Sequence, residues 1–492
     1  MKSILVLGGG SAGLITALTF RRMLPEVSVK LVHSPDIGVI GVGEGTTAVF
    51  PEHFFKVLGL PKDEFYRETS PTWKQGIKFV WGPRDHFFYT FDFQYDQKRQ
   101  GMGMANGFYA DDDCGLLDLP AALMQCGKAF ASGPLGKPLI NGQYAFHIEN
   151  KRLVAYLEKI CAASGVAISE DTFVEAERTE NGVGDLVFQS GARRSADLVI
   201  DASGFRSELI GRTLGVSFKD FSTGLFCDRA WIGGWTRGDE PLHAYTTAET
   251  MDSGWCWQIE HEDWINRGYV YSSRFINDDE ALGEFLRKNP KVSNEPRLVR
   301  FRSGRHDSGW VGNVVAVGNS SGFVEPLEAT ALAQLIYEVR WLIEVLRTEQ
   351  MDPAQSAKDR YNEIVGRAWD EIRDFLAYHY RFNTRLDTPF WKHCRNETSL
   401  GDYEGFYQEY RRLGPAPETI RALPYKPNIY GIEGYLAMLV GMKVPHERTY
   451  QPGAGEIDLW NRHQRAMRTR AAAGVPSEKA LAAIRSPHWS WS

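Results

Sequence analysis

The chain lacks the features that would mark a secreted, membrane-borne or nucleic-acid-bound protein. Its six cysteines (Cys114, Cys126, Cys161, Cys227, Cys256 and Cys394) form neither a CxxC pair nor a Cys/His metal spacing. That excludes a zinc site or a disulfide framework and fits reduced thiols. Lysine and arginine total 56 against 62 aspartates and glutamates, a net charge of -6. Without a basic excess there is no electrostatic footprint for nucleic acid. No apolar run reaches the roughly 20 residues that cross a bilayer, and the first residues pass straight into a strand pattern with no signal segment. Repeats and low-complexity linkers are missing as well. The expectation is a cytoplasmic, soluble protein that needs neither metal, membrane nor nucleic acid.

What is present is an ordinary folding composition, 43% hydrophobic and 24% charged, with 14 Trp, 20 Tyr and 27 Phe. A chain of 492 residues exceeds one simple core, so two or three lobes are expected. Aromatic side chains bring flat faces that suit planar ligands, although composition alone is equally met by an aromatic core. Ser3 to Leu7 is a short apolar run followed by glycines. A helical pattern then runs from Ser11 to Leu24, and Val27 to Val32 reads as a buried strand. This is a β-α-β unit opening a parallel sheet. Helical periodicity returns at Asn150 to Ser164, and buried strands are predicted at Asp197 to Ile200 and Asn313 to Gly318. Alternation from Leu225 to Phe275 predicts several antiparallel strands. Thr330 to Thr348, Ala354 to Tyr380 and Ile457 to Ala473 read as helices. The aromatic stretch from Phe87 to Tyr144 has little periodicity and reads as an insertion that covers something.

Gly8-Gly9-Gly10-Ser11-Ala12-Gly13 fits GxGxxG through Gly8, Gly10 and Gly13, between a strand and a helix. Such a turn lets backbone approach a pyrophosphate at a helix N-terminus, where Ser11 and Ala12 contribute N–H groups. The carboxylate that would bind an NAD ribose is missing, because the second strand ends in His33. Two later strand-to-turn segments, one with Asp201 and Gly204 and one with Gly318 and Asn319, complete a pattern similar to FAD enzymes related to aromatic hydroxylases. The fold class is therefore α/β: an FAD-binding Rossmann-like domain of the aromatic-hydroxylase type with an antiparallel β substrate layer and a helical C-terminal lobe. Residues 1–95, 147–215 and 300–350 are assigned to a discontinuous FAD-binding domain. Residues 96–146 and 216–299 form the substrate-side insertion and sheet, and 351–492 the helical substrate lobe. No second GxGxxG marks an NAD(P)H site, so reduced flavin (FADH2) is expected from a separate NAD(P)H-dependent flavin reductase.

Three further segments narrow the chemistry. A Gly-rich strap, Asp36 to Thr47, contains Gly43, Glu44, Gly45 and Thr46; Trp255-Cys-Trp257-Gln-Ile259 carries two tryptophans on one face of a strand; and Gly322 to Thr330 joins a turn to the apolar helix. From Met1 to about Arg340, motif order and content resemble the flavin-dependent halogenases of the tryptophan halogenase family. Trp255 and Trp257 match its WxWxI(P) signature, with Glu260 in place of the final proline. The family's K-x-x-I-K-F run stands as Lys74 to Phe79, which puts Lys74 in the place of the essential lysine and Lys78 in that of its neighbour. The motif P-L-E-S-T-G stands as Pro326-Leu-Glu328-Ala-Thr330-Ala331. The resemblance makes Glu328 catalytic and sets halide beside Thr330 and Ala331.

It further implies that reduced FAD, oxygen and a halide give hypohalous acid, which Lys74 receives either as an ammonium donor or as an amine forming a haloamine. Glu328 would steady or deprotonate the arenium intermediate. The expected substrate is a free indole-like or other electron-rich aromatic small molecule. Ala331 replaces the motif's glycine near the halide; bromide is expected ahead of chloride, and a homodimer is expected. Each residue also has a plainer reading: a lysine is usually a solvated charge, a glutamate before a helix can cap it, and a tryptophan pair can be core packing. The alternative function is an FAD-dependent aromatic monooxygenase that hydroxylates without halide.

Overall fold

Near-continuous apolar runs give strands buried on both faces, and the first unit is built on them. A computed structural model describes residues 1–38, 43–91, 114–140, 143–426 and 428–491. These fall into two units, Met1–Ser70 with Ile148–Phe221 and Phe301–Asp370, and Pro71–His147 with Ser222–Arg300 and Glu371–Ser492. In the first unit a six-stranded sheet has the order Trp310–Val311, Val314–Ala316, Leu198–Asp201, Ser3–Leu7, Ser28–His33, Ala167–Glu170. All neighbours run parallel except the Trp310–Val311 edge. Ile4, Leu5, Val6 and Leu7 are all buried, because both faces of the sheet are covered. Helices Ser11–Met23, Asn150–Ala163 and Ala331–Thr348 pack together. Leu5, Leu7 and Val199 meet Val183, Leu186, Leu209 and Ile210 in one apolar cluster.

The second unit carries a seven-stranded sheet of order Arg297–Arg300, Arg229–Thr236, Trp264–Tyr271, Gly254–Glu260, Tyr245–Met251, Gly76–Val80, Phe87–Thr90. It is antiparallel except between Tyr245–Met251 and Gly76–Val80. Alternation fixes two faces. Trp255, Trp257 and Ile259 share one, and the register carries Phe79, Ala248, Trp257 and Gly268 across it in a row. Lys78, Thr247, Gln258 and Arg267 form the adjacent row on the opposite face. Helix Asp278–Lys288, started by an Asn277/Glu280 capping box, lays Ala281 and Phe285 on Met251, Cys256, Tyr269 and Tyr271 of that second face. The tryptophan face meets the C-terminal helices: Asn383 Nδ2 donates to Thr250 Oγ1 at 3.0 Å, and Trp391 Nε1 to the Met251 carbonyl at 2.7 Å.

Aromatic residues concentrate among these helices, with Phe375 stacked on Tyr430 at 3.7 Å and Tyr403 on Tyr435 at 4.4 Å. The helices expected at Ala354 to Tyr380 and Ile457 to Ala473 stand at Gln355–Phe382 and Ala454–Ala472. Much of the Phe87 to Tyr144 insertion (92–113, 141 and 142) lies outside the described residues. All six cysteines are free thiols, and no described helix is long and apolar enough to cross a membrane. Among the described residues, no group of three or more His, Cys, Asp or Glu is placed to hold a metal.

One close contact in the signature sheet is directly testable. A Cβ on Gly268 would intrude into the Trp257 indole, whose ring has no flexible end to yield. Gly268→Ala should destabilise the protein by about 1–3 kcal/mol, the usual cost of overpacking, read as a lower denaturation midpoint by tryptophan fluorescence.

Candidate active site

In the first unit, the C-terminal ends of the parallel strands bring three turns to one sheet edge, the position where open α/β sheets bind ligands. The first is the glycine turn. Gly8 has φ +129°, and a Cβ there would collide with the Ala202 carbonyl; one at Gly13 would collide with the Gly8 carbonyl. A Cβ on Gly9 would sit 2.6 Å from the His33 ring, which places His33 beside the turn. Around Gly10 the space is open. Helix Ser11–Met23 starts there with no side-chain cap and no acidic residue in its first turn, while Arg21 and Arg22 close its far end. Its first N–H groups and positive dipole end, at Ser11 and Ala12, therefore start beside the open space at Gly10.

Asp201 opens the second turn. Its buried carboxylate accepts from Ser203 N–H (3.1 Å), Ser203 Oγ (2.6 Å), Leu209 N–H (2.8 Å) and Ile210 N–H (2.9 Å). The acid is thus spent on its own chain and shapes the loop that presses on Gly8, while Gly204, at φ +68°, borders open space. The third turn, Gly318–Ser320, contains Gly318 and Asn319. A Cβ on Gly318 would approach the Ala12 methyl at 3.1 Å, so this turn closes directly over the glycine turn. Sequence reasoning missed the group that holds it: Glu338, fully buried, accepts from Gly318 N–H at 2.8 Å and from Trp369 Nε1 at 3.0 Å. Burial pushes its carboxyl up to about 7 against those donors. Its signal was a glutamate on the apolar stripe Leu335, Glu338, Leu342. In the strap, Gly43 has φ +71°, Glu44–Gly45 is extended and Thr46 is buried; desolvation raises the Glu44 carboxyl to about 7. Strap residues 39–42 lie outside the described set. The open cradle at Gly10 and the turns around it fit the pyrophosphate of an FAD.

The third turn leads on through Pro326–Glu328 to helix Ala331–Thr348. Glu328 is 2% exposed. Ala329 takes a left-handed φ of +53°, a strained state for a residue with a side chain, of the kind concentrated at functional sites. Thr330 is the N-cap residue yet makes no side-chain capping bond, so the first N–H groups, from Ala331 onward, start another helix whose entry lacks that cap.

In the second unit, Lys74 ends the strand Thr72–Lys74, which pairs antiparallel with Ala145–Ile148 in the register Thr72 to His147 and Lys74 to Ala145. Lys74 has no exposed surface, and its Nζ lies 5.0 Å from the centre of the Phe91 ring, within cation–π range. The Thr72 hydroxyl donates to the Glu260 carbonyl, tying this strand to the end of the signature strand. Lys78 differs: it is half-buried on the face opposite the tryptophans, 5.9 Å from the Tyr245 ring, with its pKa lowered by burial against the pull of Glu249. Trp255 and Trp257 are both buried, with ring centres 6.0 Å apart. The Trp257 Nε1–H is buried without a protein acceptor among the described residues.

Comparison with known proteins is consistent across three routes. The sequence profile described as tryptophan halogenase matches residues 3–457. The tryptophan 7-halogenase RebH of Lentzea aerocolonigenes is 32% identical over 82% of this chain and 80% of its own length. Among solved structures, MibH, a lanthipeptide tryptophan 5-halogenase, superposes with a TM-score of 0.90 at 36% identity, covering 98% of this chain and 93% of that one. BrvH, a flavin-dependent halogenase from Brevundimonas sp. BAL3, gives 0.87 at 28% identity, with 99% of both chains covered.

Gly10→Ala, with space for its methyl, should fold normally yet bind FAD at least about tenfold more weakly in a fluorescence titration, whereas Gly8→Ala should impair folding itself. Glu338 holds its proton up to about 7 in the folded protein, against 4.5 for an ordinary glutamate. Its stabilising contribution is full below 4.5 and is lost as pH rises through 7. Glu338→Gln should remove that loss, on the order of 3 kcal/mol, so that thermal melts of the variant and the parent diverge between pH 4.5 and about 7 and keep a constant offset above it.

Proposed function

Because the chain belongs to the tryptophan halogenase family, whose profile spans residues 3–457, we propose that it is an FADH2-dependent halogenase of a free indole-like or other electron-rich aromatic small molecule. The observation that carries this reading is Lys74: a fully buried lysine on a strand stitched to the double-tryptophan strand. Gly8, Gly10, Ser11, Ala12, Gly13 and His33, with Gly204, Gly318, Asn319 and the strap Gly43–Thr46, would hold the flavin, and Asp201 would shape its turn. When bound, the reduced flavin supplies with oxygen the oxidising equivalents that turn halide into hypohalous acid. Thr330 and Ala331 would seat the halide at their helix entry. Ala331 stands where the family motif has glycine, and bromide, the more easily oxidised halide, is the proposed preference.

Lys74, as an ammonium, donates to the oxygen of hypohalous acid and polarises its oxygen–halogen bond. The aromatic carbon takes the halogen, that bond breaks, and the departing oxygen leaves as water with the Lys74 proton. Glu328 accepts the ring proton from the arenium and releases it to solvent, and Lys74 takes a proton back from solvent, so that the net reaction is aromatic and hypohalous acid to haloarene and water. A separate NAD(P)H-dependent flavin reductase, a homodimer and a cytoplasmic location complete the proposal. The first unit would be the flavin-binding body, and the second, with its aromatic helices, the substrate body. A second substrate reading rests on the likeness to MibH: a tryptophan carried within a peptide.

The protein incubated with FAD, a flavin reductase, NADH, oxygen and bromide or chloride, against indole and a tryptophan-containing peptide, should yield a product with a halogen isotope pattern on indole. Lys74→Ala and Glu328→Ala should each lower turnover at least about a hundredfold with flavin binding intact. Hydroxylated product independent of halide would establish the monooxygenase alternative, and halogenation confined to the peptide would establish the second substrate reading.

A further inference from the structure

His147 is fully buried and takes no part in the reaction described above. In the ladder it stands directly opposite Thr72, two positions along from the partner of Lys74, so all three side chains share one face. Its Nδ1 lies 3.4 Å from the backbone N–H of Glu260, and its Nε2 lies 2.8 Å from Thr246 Oγ1. A backbone N–H can only donate, so Nδ1 must offer its lone pair. The proton of the neutral ring is then on Nε2 and is given to Thr246. An imidazolium would set a second N–H against that of Glu260.

Glu260 stands where the family signature has proline, which has no N–H to give. Here its N–H goes to His147 and its carbonyl receives the Thr72 hydroxyl, the two residues that face each other in the lysine ladder. Its carboxylate is taken by Arg237 and by Gln258 Nε2 at 2.7 Å. We propose that His147 is a positioning residue for Lys74, locked as its Nε2–H tautomer by the Glu260 N–H, so that the lysine has a rigid, uncharged ring beside it instead of a second cation. Burial first, then Lys74, His261 and Arg237, push the pKa of the ring well below the ordinary histidine value. The inference rests on the proposed role of Lys74.

The test uses the full-length protein labelled with ring-15N histidine, with the His147 signal assigned by its loss in His147→Gln. The expected result is an Nε2–H tautomer that stays neutral as pH falls to about 6, when an ordinary histidine is already mostly charged. Glu260→Gln keeps the N–H and should keep this signature. Glu260→Pro removes it, and the ring should titrate closer to 6.5 with mixed tautomers. In halogenation of indole with bromide, His147→Gln should lower kcat at least about tenfold with KM little changed. Glu260→Pro should move the acid limb of the kcat profile upward, and Glu260→Gln should leave it in place. An Nδ1–H tautomer, titration near 6.5 in the parent, or an unchanged kcat in His147→Gln would overturn the proposal. Full halogenation by Lys74→Ala would instead remove the lysine's role, a result separate from the histidine signature.

Discussion

The first unit depends on how closely two backbone segments pass at the sheet edge, where Gly8 lies under the Ala202 carbonyl and Gly13 under that of Gly8. No side chain fits at either position. That approach fixes where helix Ser11–Met23 begins, and hence where its unpaired N–H groups point. The loop that presses on Gly8 is held by Asp201, whose carboxylate gathers four donors of its own segment. Gly318 then closes against Ala12 with its N–H bound to Glu338. The second and third turns are each held by a carboxylate that accepts from its own chain, which leaves the N–H groups at the start of helix Ser11–Met23 to suit phosphate oxygens.

The second unit solves a different problem, keeping a lysine with no exposed surface. Burying an ammonium is costly, and a second positive charge nearby would multiply that cost in a low-dielectric interior. The strand beside Lys74 answers with Ala145, which takes little room, and His147, which burial and its neighbours keep uncharged. Phe91 adds an aromatic face within reach of Nζ.

Local pattern made much of this legible in the sequence. Gly8, Gly10 and Gly13 announced a turn between strand and helix, and the strand and helix stand where periodicity put them. Trp255 and Trp257, two residues apart, share a sheet face because strand side chains alternate. What escaped was whatever depends on pairing between distant segments. Asp201 stands in one of the turns the sequence pattern points to, but nothing local shows that Leu209 and Ile210 return to its oxygens. Glu338 was lost as one more charge in a long helix, although it falls on the apolar stripe. His147 had no sequence signal of its own; its meaning comes from register against Thr72 and from the end of a strand more than a hundred residues away.

Glu260 shows why a departure from a signature can be read physically. A proline at that position would hold the strand end by its fixed φ alone. Glu260 holds it through three groups at once: its N–H toward His147, its carbonyl toward Thr72, and its carboxylate toward Arg237 and Gln258. In a buried setting such a network is favourable only when every member is satisfied, since one missing partner strands a polar group out of water. The replacement of proline and the neutral state of His147 are therefore one arrangement: the amide gained at residue 260 is spent on the ring beside Lys74.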